Sequence, residues 1–482
     1  MSNKFFLSLG ITASLLLGAC STNPATGEQQ FTALMSPAQE QKVGAEEHQN
    51  IIKTMGVYKN KEMQAYVNEI GQSLAKNTER PDVSYTFTVL DSPMVNAFAL
   101  PGGYVYVTRG LLALANSEAE LAGVIGHEIG HVTARHSAER FSQNVLASLG
   151  TAALSIALDS PDVTQMAGLG SQLYLQSYSR GQEHEADTLG IRYLHRATYD
   201  PHGMASFLNN LDQNSKLEGR IEGKDSDGYS YFSTHPRTED RFAKASTIAN
   251  QYEKIAYKPE GSYLNYLDGM VYGDSEAQGF AKGTNFYHIP MDFTFSVPDG
   301  YKIYNGANQV TALSKDEGTV VIFDAAGREN GMSAKNYVAS AWLNKQPNVS
   351  VEGIKINGMN AATASFEGTV NNKPMTIRVV AVEWSTDRFF RFQMAIPKGA
   401  SAATLDGLKR TTYSLRHLTG QERNSLKPYR LRIVTARAGD SVQSLSSGFP
   451  YSDYREERFH VLNGMKAGEK VMPGFRYKVV VE

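Results

Sequence analysis

The sequence predicts an α+β protein with a mainly helical first domain that carries a small sheet, a second α+β domain and a small C-terminal module. Three observations support this prediction. Apolar residues recur at helical spacing from about residue 36 to 75. Alternating strand patterns dominate after about residue 270, and turn signals are frequent from 428 to 482.

Length and charge limit the possible classes of protein. A chain of 482 residues with 41% hydrophobic content exceeds what one core usually holds, so two or three folded units are expected. A formal net charge of −2 predicts no polyanion partner, and nucleic acid is therefore not expected to bind. The sequence has no repeat of fixed period, so a helical solenoid is not predicted.

The N-terminus has the pattern of a secretion signal over residues 1–20, with Lys4, an apolar run over residues 5–17 and small residues before Cys20. The sequence Leu-Gly-Ala-Cys resembles the bacterial lipobox, which implies cleavage before Cys20, acylation of that cysteine and anchoring to a membrane. Ser21 at the next position favours the outer membrane, with the protein facing the periplasm. Polar residues 21–35 would form a tether. The alternative is a buried cysteine behind an apolar helix.

Cys20 is the only cysteine, so no intramolecular disulfide can form and a metal site must use nitrogen and oxygen ligands. No later apolar stretch has the roughly 18 uninterrupted residues of a membrane helix. The segment over residues 145–158 comes closest, and it predicts a buried or amphipathic helix, with membrane contact as the alternative.

The first domain, residues 36–270, should contain strands at residues 85–90 and 104–108. Ser117 and Glu120 form a capping-box pattern that predicts a helix running through residue 131. A further helix is predicted over residues 183–195.

The predicted helix that starts at Ser117 contains a metal-binding pattern. His127 and His131 are four residues apart, about 40° around the helix, so both imidazoles lie on one side and one tetrahedral zinc ion can bind both. Glu128 lies beside the open coordination position, where it can accept the proton of the attacking water and deliver it to the leaving amine. The alternative is a pair of helix histidines bonded to neighbours.

A catalytic zinc ion needs a third protein ligand. Glu183 and Asp187 share a helix face, whereas Glu185 points away from it. We assign Glu183 as the ligand and Asp187 as the carboxylate that accepts the free N–H of a liganding histidine. The alternative is a solvated acidic helix face.

Three motifs resemble those of the HtpX, Oma and CAAX-prenyl-protease type zinc metallopeptidases: H-E-x-x-H at 127–131, E-x-E-A-D at 183–187 and S-T-H-P at 233–236. Within this family the chain most resembles bacterial periplasmic lipoproteins related to the β-barrel assembly-enhancing protease. The resemblance implies a zincin-type domain with one zinc ion and with His235 near it. His235 would act as an oxyanion donor or as a latch on the open position, the alternative being a helix cap.

Two departures from the family limit what the resemblance implies. The chain lacks the spanning helices of the integral-membrane members and the C-terminal repeat array of the barrel-assembly protease, so a particular substrate does not transfer. The strand at 104–108 is predicted to be the edge that binds substrate, as in the family, with an interior strand as the alternative.

The two remaining regions resemble known modules in outline. Residues 271–420 resemble PsbP-like or DcrB-like α+β domains. Residues 428–482 are similar to a LysM module, which implies contact with peptidoglycan, although such modules also occur as mere packing units.

The leading hypothesis is a zinc endopeptidase that hydrolyses misfolded or unassembled cell-envelope proteins. Its rival is a zinc-containing chaperone or cell-wall-binding assembly lipoprotein with little proteolysis. Glu128 favours the enzyme, because a structural zinc site does not need it.

Overall fold

The computed structural model describes residues 21–157, 177–222, 231, 235–236, 240–253 and 263–482, apart from 307, 315–317, 330, 345, 347–348 and 371, with side chains in the helix at 136–157 described as far as residue 146. The protein has two compact units, unit 1 (Met1–Gly273 with Tyr429–Glu482) and unit 2 (Asp274–Pro428). The predicted signal segment and Cys20 lie outside the described residues.

The segment predicted to be a tether, residues 21–35, instead folds onto unit 1. Strands β1 (Ser21–Thr22) and β2 (Gln29–Gln30) pair antiparallel. Asn23 and Met35 are buried, and the Arg135 guanidinium donates to the Met35 carbonyl at 2.7 Å. The polar composition of this segment therefore reflects hydrogen bonds to the domain and not solvation of a linker.

Helices make up most of unit 1. They are α1 (Pro37–Met55), α2 (Lys61–Ala75), α3 (Arg109–Leu114), α4 (Glu118–Thr133), α5 (His136–Ala157), α6 (Arg180–Arg196), α7 (His202–Glu222), α8 (Arg241–Ala249) and α9 (Tyr263–Leu267). The predicted start of α4 is confirmed, because the Ser117 hydroxyl accepts from the Glu120 amide at 3.1 Å. All residues of α4 after Glu118 are buried, so it is the central helix, packed against α2, α6 and α7.

A three-stranded sheet lies beside α4. Its strands β3 (Thr86–Leu90), β4 (Ala97–Leu100) and β5 (Tyr104–Thr108) have the order β3-β5-β4, with β3 and β5 parallel and β4 antiparallel to β5. The prediction that residues 104–108 form the substrate-binding edge is wrong. This strand is the middle one, because the Pro101–Gly103 turn folds β4 back onto one side of it while β3 pairs with the other.

Unit 2 is rich in strands. They are β6 (Phe280–Lys282), β7 (Asn285–His288), β8 (Phe293–Ser296), β9 (Tyr301–Asn305), β10 (Gln309–Ser314), β11 (Val320–Gly327), β12 (Glu352–Ile356), β13 (Met359–Val370), β14 (Lys373–Glu383) and β15 (Arg388–Pro397). Its helices are α10 (Ala334–Asn336), which continues as a π-helix over Tyr337–Trp342, α11 (Ala402–Ser414) and α12 (Gly420–Ser425).

The main sheet of unit 2 is antiparallel with the order β12-β13-β14-β15-β11-β10-β9, and β6, β7 and β8 form a separate sheet. Alternate residues of the main sheet contribute to two apolar cores. One core contains Phe323 and Phe392 with Leu408 of α11, and the other contains Phe389 with Val338 of the π-helix. The structure therefore has helices on both faces of the sheet.

The C-terminal segment contains β16 (Arg430–Thr435), α13 (Val442–Ser446), α14 (Arg455–Leu462) and β17 (Arg476–Val481), and the two strands pair antiparallel. It belongs to unit 1 and shares its core through Leu431, Phe459 and Val480. The Lys478 ammonium is fully buried and donates to the carbonyl of Ala113 at 2.6 Å. The predicted separate module is thus part of the first unit, and its LysM-like glycan binding stays a prediction.

Among the described residues, no helix combines the length and the apolar character that crossing a membrane requires.

Candidate metal centre

Close contact between α4 and α6 brings the two halves of the site together. Glycines at the crossing allow this contact, because a Cβ atom on Gly190 would lie 2.8 Å from the His127 amide nitrogen and one on Gly130 would lie 3.1 Å from the Ala186 carbonyl oxygen. Side chains at these positions would push the helices apart. Gly130 and Gly190 therefore allow the close helix crossing that brings the residues of the site together.

Four buried side chains converge at this crossing: His127 and His131 from α4, Glu183 from α6, and His235. Nε2 of His127 lies 3.0 Å from Nε2 of His131 and 3.2 Å from Nδ1 of His235. Glu183 Oε1 lies 3.0 Å from Nδ1 of His235 and 3.5 Å from Nε2 of His131. The four donor atoms are therefore close enough for a single ion to contact them.

The donor set fits a zinc ion. Ligand bonds of about 2.0–2.1 Å in a tetrahedron place neighbouring donor atoms about 3.3 Å apart. Four of the separations are 3.0–3.5 Å, Nε2 of His127 lies 3.7 Å from Glu183 Oε2, and all four ligand atoms lie within 4.8 Å of one another. Nδ1 of His127 and Nδ1 of His131 both contact other groups, at 2.8 Å in each case, so each ring can direct an Nε2 lone pair inward. Without a cation these facing lone pairs would repel one another.

Asp187 is the outer partner of His127. Its Oδ1 lies 2.8 Å from Nδ1 of His127, a contact that favours a proton on this nitrogen electrostatically although the ring N–H is not aligned for a hydrogen bond. Burial alone would raise the pKa of Asp187, but Arg241 and His127 lower it below its ordinary value. The carboxylate is therefore ionised, and it fixes the tautomer of His127.

Glu128 is fully buried beside the cluster, and neither carboxylate oxygen has a hydrogen-bond partner among the described residues. Its Oε1 lies 3.4 Å from Nε2 of His235. Burial raises the pKa of Glu128, while His235 and His127 oppose the rise. A carboxylate with a raised pKa and free oxygens is suited to accepting and releasing a proton.

The His235 imidazole sits between Glu183 and Glu128, with Nδ1 toward the first and Nε2 toward the second. Its ring stacks on Tyr231 at 4.2 Å between centroids, and its backbone amide donates to the Tyr231 carbonyl at 3.0 Å. This arrangement makes His235 a possible fourth ligand. It does not fit a helix cap, since α8 begins only at Arg241.

Sequence reasoning missed Arg241, the first residue of α8. Its guanidinium donates to Asp187 at 2.9 and 2.7 Å, and its Nη1 lies 2.8 Å from Glu183 Oε2. Burial alone would lower the pKa of Arg241, but the two carboxylates raise it. The buried Arg241 guanidinium therefore contacts both Glu183, the proposed ligand, and Asp187, the carboxylate beside His127. The only sequence signal was an arginine six residues after His235.

Two more residues, Glu185 and His136, lie near the site without facing it. Glu185 points away from the cluster, as its position on α6 predicts, but its Oε2 lies 3.4 Å from Nε2 of His136. Nδ1 of His136 lies 2.8 Å from Nδ1 of His131. Sequence reasoning gave neither residue a role, because the contact depends on the turn between α4 and α5.

The comparisons with known proteins agree with this geometry. Residues 61–249 match the model of Peptidase family M48. The chain is 30% identical over 211 residues to the β-barrel assembly-enhancing protease of Yersinia pestis, which covers 42% of this chain and 41% of that protein. The Escherichia coli (strain K12) protein of the same name is 27% identical over 268 residues, covering 54% and 53%.

A eukaryotic relative is also similar to part of this chain. The mitochondrial metalloendopeptidase OMA1 of Arabidopsis thaliana is 38% identical over 173 residues, covering 36% of this chain and 33% of that protein. The chain spans about half the length, or less, of the curated relatives it matches. The matched residues include α4, α6 and all four converging side chains, so the chain carries a domain of peptidase family M48.

Proposed function

We propose that this protein is a zinc-dependent endopeptidase in which His127, His131 and Glu183 hold one zinc ion. The observation that carries the proposal is the buried cluster itself, with three donor groups close enough to share one ion beside a buried carboxylate to which no described residue hydrogen-bonds. A structural zinc site does not need such a carboxylate, whereas peptide hydrolysis needs a proton acceptor there.

The chemistry that zinc supplies in such a site is Lewis acidity, which lowers the pKa of a bound water toward about 7. Glu128 would accept the proton of the attacking water and deliver it to the leaving amine. Asp187 keeps the proton of His127 on Nδ1, and Arg241 keeps Asp187 ionised and oriented. No covalent bond forms between the protein and the substrate.

The substrate edge that we propose is β4. On the opposite edge of the sheet, the Gln64 side chain occupies β3 by donating to the Phe87 carbonyl at 2.7 Å and accepting from the Val89 amide at 3.0 Å. The Thr108 amide donates to the Asn96 carbonyl, so the main-chain groups of Ala97 and Ala99 point outward from β4.

No described residue bonds the outward groups of Ala97 and Ala99. An extended peptide could pair with them with little demand on its sequence, which suits unfolded substrates. This edge is buried, since Ala97 is 0% and Ala99 is 4% exposed. A substrate must therefore displace what covers it.

Contacts of Tyr231 and His235 support a latent resting state. The Tyr231 amide donates to the Val95 carbonyl at 3.1 Å, just before β4, while His235 supplies a fourth donor atom to the cluster. Four protein ligands close a zinc site, and catalytic sites keep one position open. In this proposal His235 is a latch that substrate or a partner displaces.

For the substrate class we propose misfolded or unassembled cell-envelope proteins. The names of the bacterial relatives, which refer to β-barrel assembly, and the sequence-tolerant strand edge support this choice. The lipid anchor at Cys20, the location at the outer membrane facing the periplasm and the glycan contact of residues 428–482 stay predictions from the sequence.

The test is hydrolysis of an unfolded protein by the full chain, with and without a chelator, beside the variant Glu128→Gln. We expect chelator to abolish hydrolysis. Glu128→Gln should keep zinc and fold but lose about 2 to 4 orders of magnitude in rate, because only the proton acceptor is removed. Hydrolysis near the wild-type rate in Glu128→Gln would contradict the endopeptidase. Suppressed aggregation of the substrate without hydrolysis would support the chaperone instead.

A further inference from the structure

The two histidines of α4 differ in what holds their outer nitrogens. His127 has a carboxylate there, which is the usual arrangement for a metal ligand. His131 has a second imidazole, because its Nδ1 lies 2.8 Å from Nδ1 of His136. His136 is itself buried, at 1% exposure. A neutral imidazole orients a ligand weakly unless something fixes its own proton.

The direction of the protons along these residues follows from the ligand role of His131. If Nε2 of His131 offers its lone pair to a metal, Nδ1 must carry the proton and donate it to Nδ1 of His136. The proton of His136 is then on Nε2, which faces Glu185 Oε2 at 3.4 Å. This distance is long for a hydrogen bond, but a carboxylate there still favours that tautomer electrostatically.

Asn23 holds the carboxylate of Glu185 from the other side. Its Nδ2 donates to Glu185 Oε1 at 2.6 Å, across 162 positions of sequence. Its Oδ1 accepts from the backbone amides of Ala25 at 2.9 Å and Thr26 at 3.3 Å, which fixes the amide orientation. Asn23 is 4% exposed, so water does not replace these bonds.

We propose that Asn23, Glu185 and His136 form a positioning relay that fixes the tautomer and ring orientation of His131. Stacking of Tyr178 on His131, at 3.7 Å between centroids, holds the plane of the ring but cannot select its tautomer. The relay does so, and it makes the N-terminal segment a part of the metal site. This proposal depends on the proposed binding of zinc by His131, but it does not depend on peptide hydrolysis.

The experiment measures the rate of zinc release to a chromophoric chelator and the visible spectrum of the cobalt-substituted protein, using the full chain. The first variant is Asn23→Asp. It keeps Oδ1 for the amides of Ala25 and Thr26, but it puts a second carboxylate oxygen against Glu185 Oε1. We expect zinc release about 3- to 10-fold faster, less than the 10- to 100-fold typical of a group that touches the ligand.

This variant separates positioning from long-range charge. An added negative charge near a cation should slow zinc release, whereas a disturbed relay should accelerate it. The matched control is Thr22→Ala, because Thr22 lies in the same hairpin and is exposed, and its hydroxyl accepts from the Gln29 side chain. The control should release zinc at the wild-type rate and leave the cobalt spectrum unchanged.

A double variant exchanges the donor and the acceptor of the contact between residues 23 and 185, and it should restore the relay. In Glu185→Gln alone, one of the two donors faces the amide NH2 group, because Asn23 and His136 contact different oxygens of the carboxylate and the amide keeps only one of them. Combined with Asn23→Asp, the new amide can donate to the new carboxylate and still accept from His136. We therefore expect the double variant to recover the wild-type release rate and cobalt spectrum, with a coupling that additive effects cannot give.

Each outcome decides the proposal. Faster release in each single variant with recovery in the double variant supports the relay. The relay is contradicted if Asn23→Asp releases zinc at the wild-type rate or more slowly. It is also contradicted if the double variant releases zinc as fast as the two single effects combined predict. A wild-type chain that binds no zinc contradicts the proposed function as well, whereas a wild-type chain that binds zinc without hydrolysis leaves the relay test valid.

Discussion

The two units differ most in what they bury. Charged and imidazole side chains buried in unit 1 are Glu40, Arg109, Glu120, His127, Glu128, His131, His136, Arg140, Glu183, Asp187, His235, Arg241 and Lys478. In unit 2, the buried polar side chains among the described residues are all hydroxyls: Ser275, Thr294, Thr319, Thr404, Thr411 and Thr412. Unit 2 keeps its ion pairs partly solvated, as in Arg391 with Asp324.

In unit 2 the buried side chains mainly stabilise the fold, whereas in unit 1 many of the buried side chains form the proposed metal site. Removing a charge from water costs several kcal/mol, and unit 1 offsets this cost by pairing, as in Arg241 with Asp187 and Glu183. Unit 2 avoids the cost, and alternating apolar strands account for its two cores. We therefore expect changes in unit 1 to alter metal binding and activity, and changes in unit 2 to alter only stability.

The largest effect in this comparison should come from Glu183→Ala. Loss of a ligand should lower zinc affinity by about 100-fold or more, since even an outer-shell partner is worth about 10- to 100-fold. The variant also leaves Arg241 with one carboxylate instead of two. Competition with a chelator of known affinity measures the effect, and Glu46→Ala on the exposed side of α1 is the control. Zinc affinity equal to that of the wild type would exclude Glu183 as a ligand.

Local sequence patterns were sufficient for the parts of this site that lie on single helices. Spacing on α4 and α6 predicted which side chains share a face, because four residues make about one turn. Alternating patterns also predicted the strand-rich region after about residue 270, where β6 to β15 lie.

Contacts between distant segments could not be predicted in this way. The middle position of β5, the docking of residues 21–35 and the role of Arg241 depend on which segments meet after folding. Asn23 and Glu185 are 162 residues apart, and neither carries a local signal for the other. Composition was misleading for residues 21–35, since the same polar residues suit a tether and a hydrogen-bonded hairpin.

A second prediction concerns Lys478, whose ammonium contacts the carbonyls of Ala113 and Ala115 at 2.6 and 2.8 Å. Lys478→Met leaves these buried acceptors at the end of α3 without a donor. We expect the free energy of unfolding of unit 1 to fall by about 2 kcal/mol. Thermal unfolding followed by helical circular dichroism measures the loss, because most helices lie in unit 1. The exposed Lys470→Met in the same segment should unfold as the wild type does.

The third prediction tests the latch. His235→Ala should raise basal proteolysis, including self-cleavage, by about tenfold. This is the gain expected if the open state makes up about one-tenth of the wild-type molecules and becomes the main state in the variant. Zinc content should not change, because His127, His131 and Glu183 remain. The exposed His202→Ala is the control. Lower activity at unchanged zinc content would instead assign His235 to oxyanion stabilisation, and no change in either would leave it a structural role.

The smallest effect concerns His288, a titratable group in unit 2 whose neutral form the fold requires. Its Nδ1 accepts from the Met291 amide at 3.2 Å, and its ring lies 5.3 Å from that of Phe293. Burial lowers the pKa of His288 to about 4, and the charge of Arg388 adds to this.

The sign of the pH effect follows from that lowered pKa. Between about pH 6.5 and 4 the unfolded chain binds a proton at His288 that the folded chain does not, so stability is present above this window and is lost as the pH falls through it. We expect a loss of about 1 kcal/mol after allowing for partial exposure of the ring. His288→Gln keeps an acceptor and should flatten the loss.

Tryptophan fluorescence isolates this effect in the full chain, because both tryptophans, Trp342 and Trp384, lie in unit 2. Trp384 packs 6.4 Å from Phe293, the neighbour of His288, so its emission reports on the same core. The control is His460→Gln in unit 1, which should leave the tryptophan transition as in the wild type. If the transition midpoint of His288→Gln falls with acid as steeply as that of the wild type, titration of other groups weakens unit 2. The contrast between the buried charges of unit 1 and the apolar cores of unit 2 would then not account for acid stability, because unit 2 would contain acid-sensitive groups besides His288.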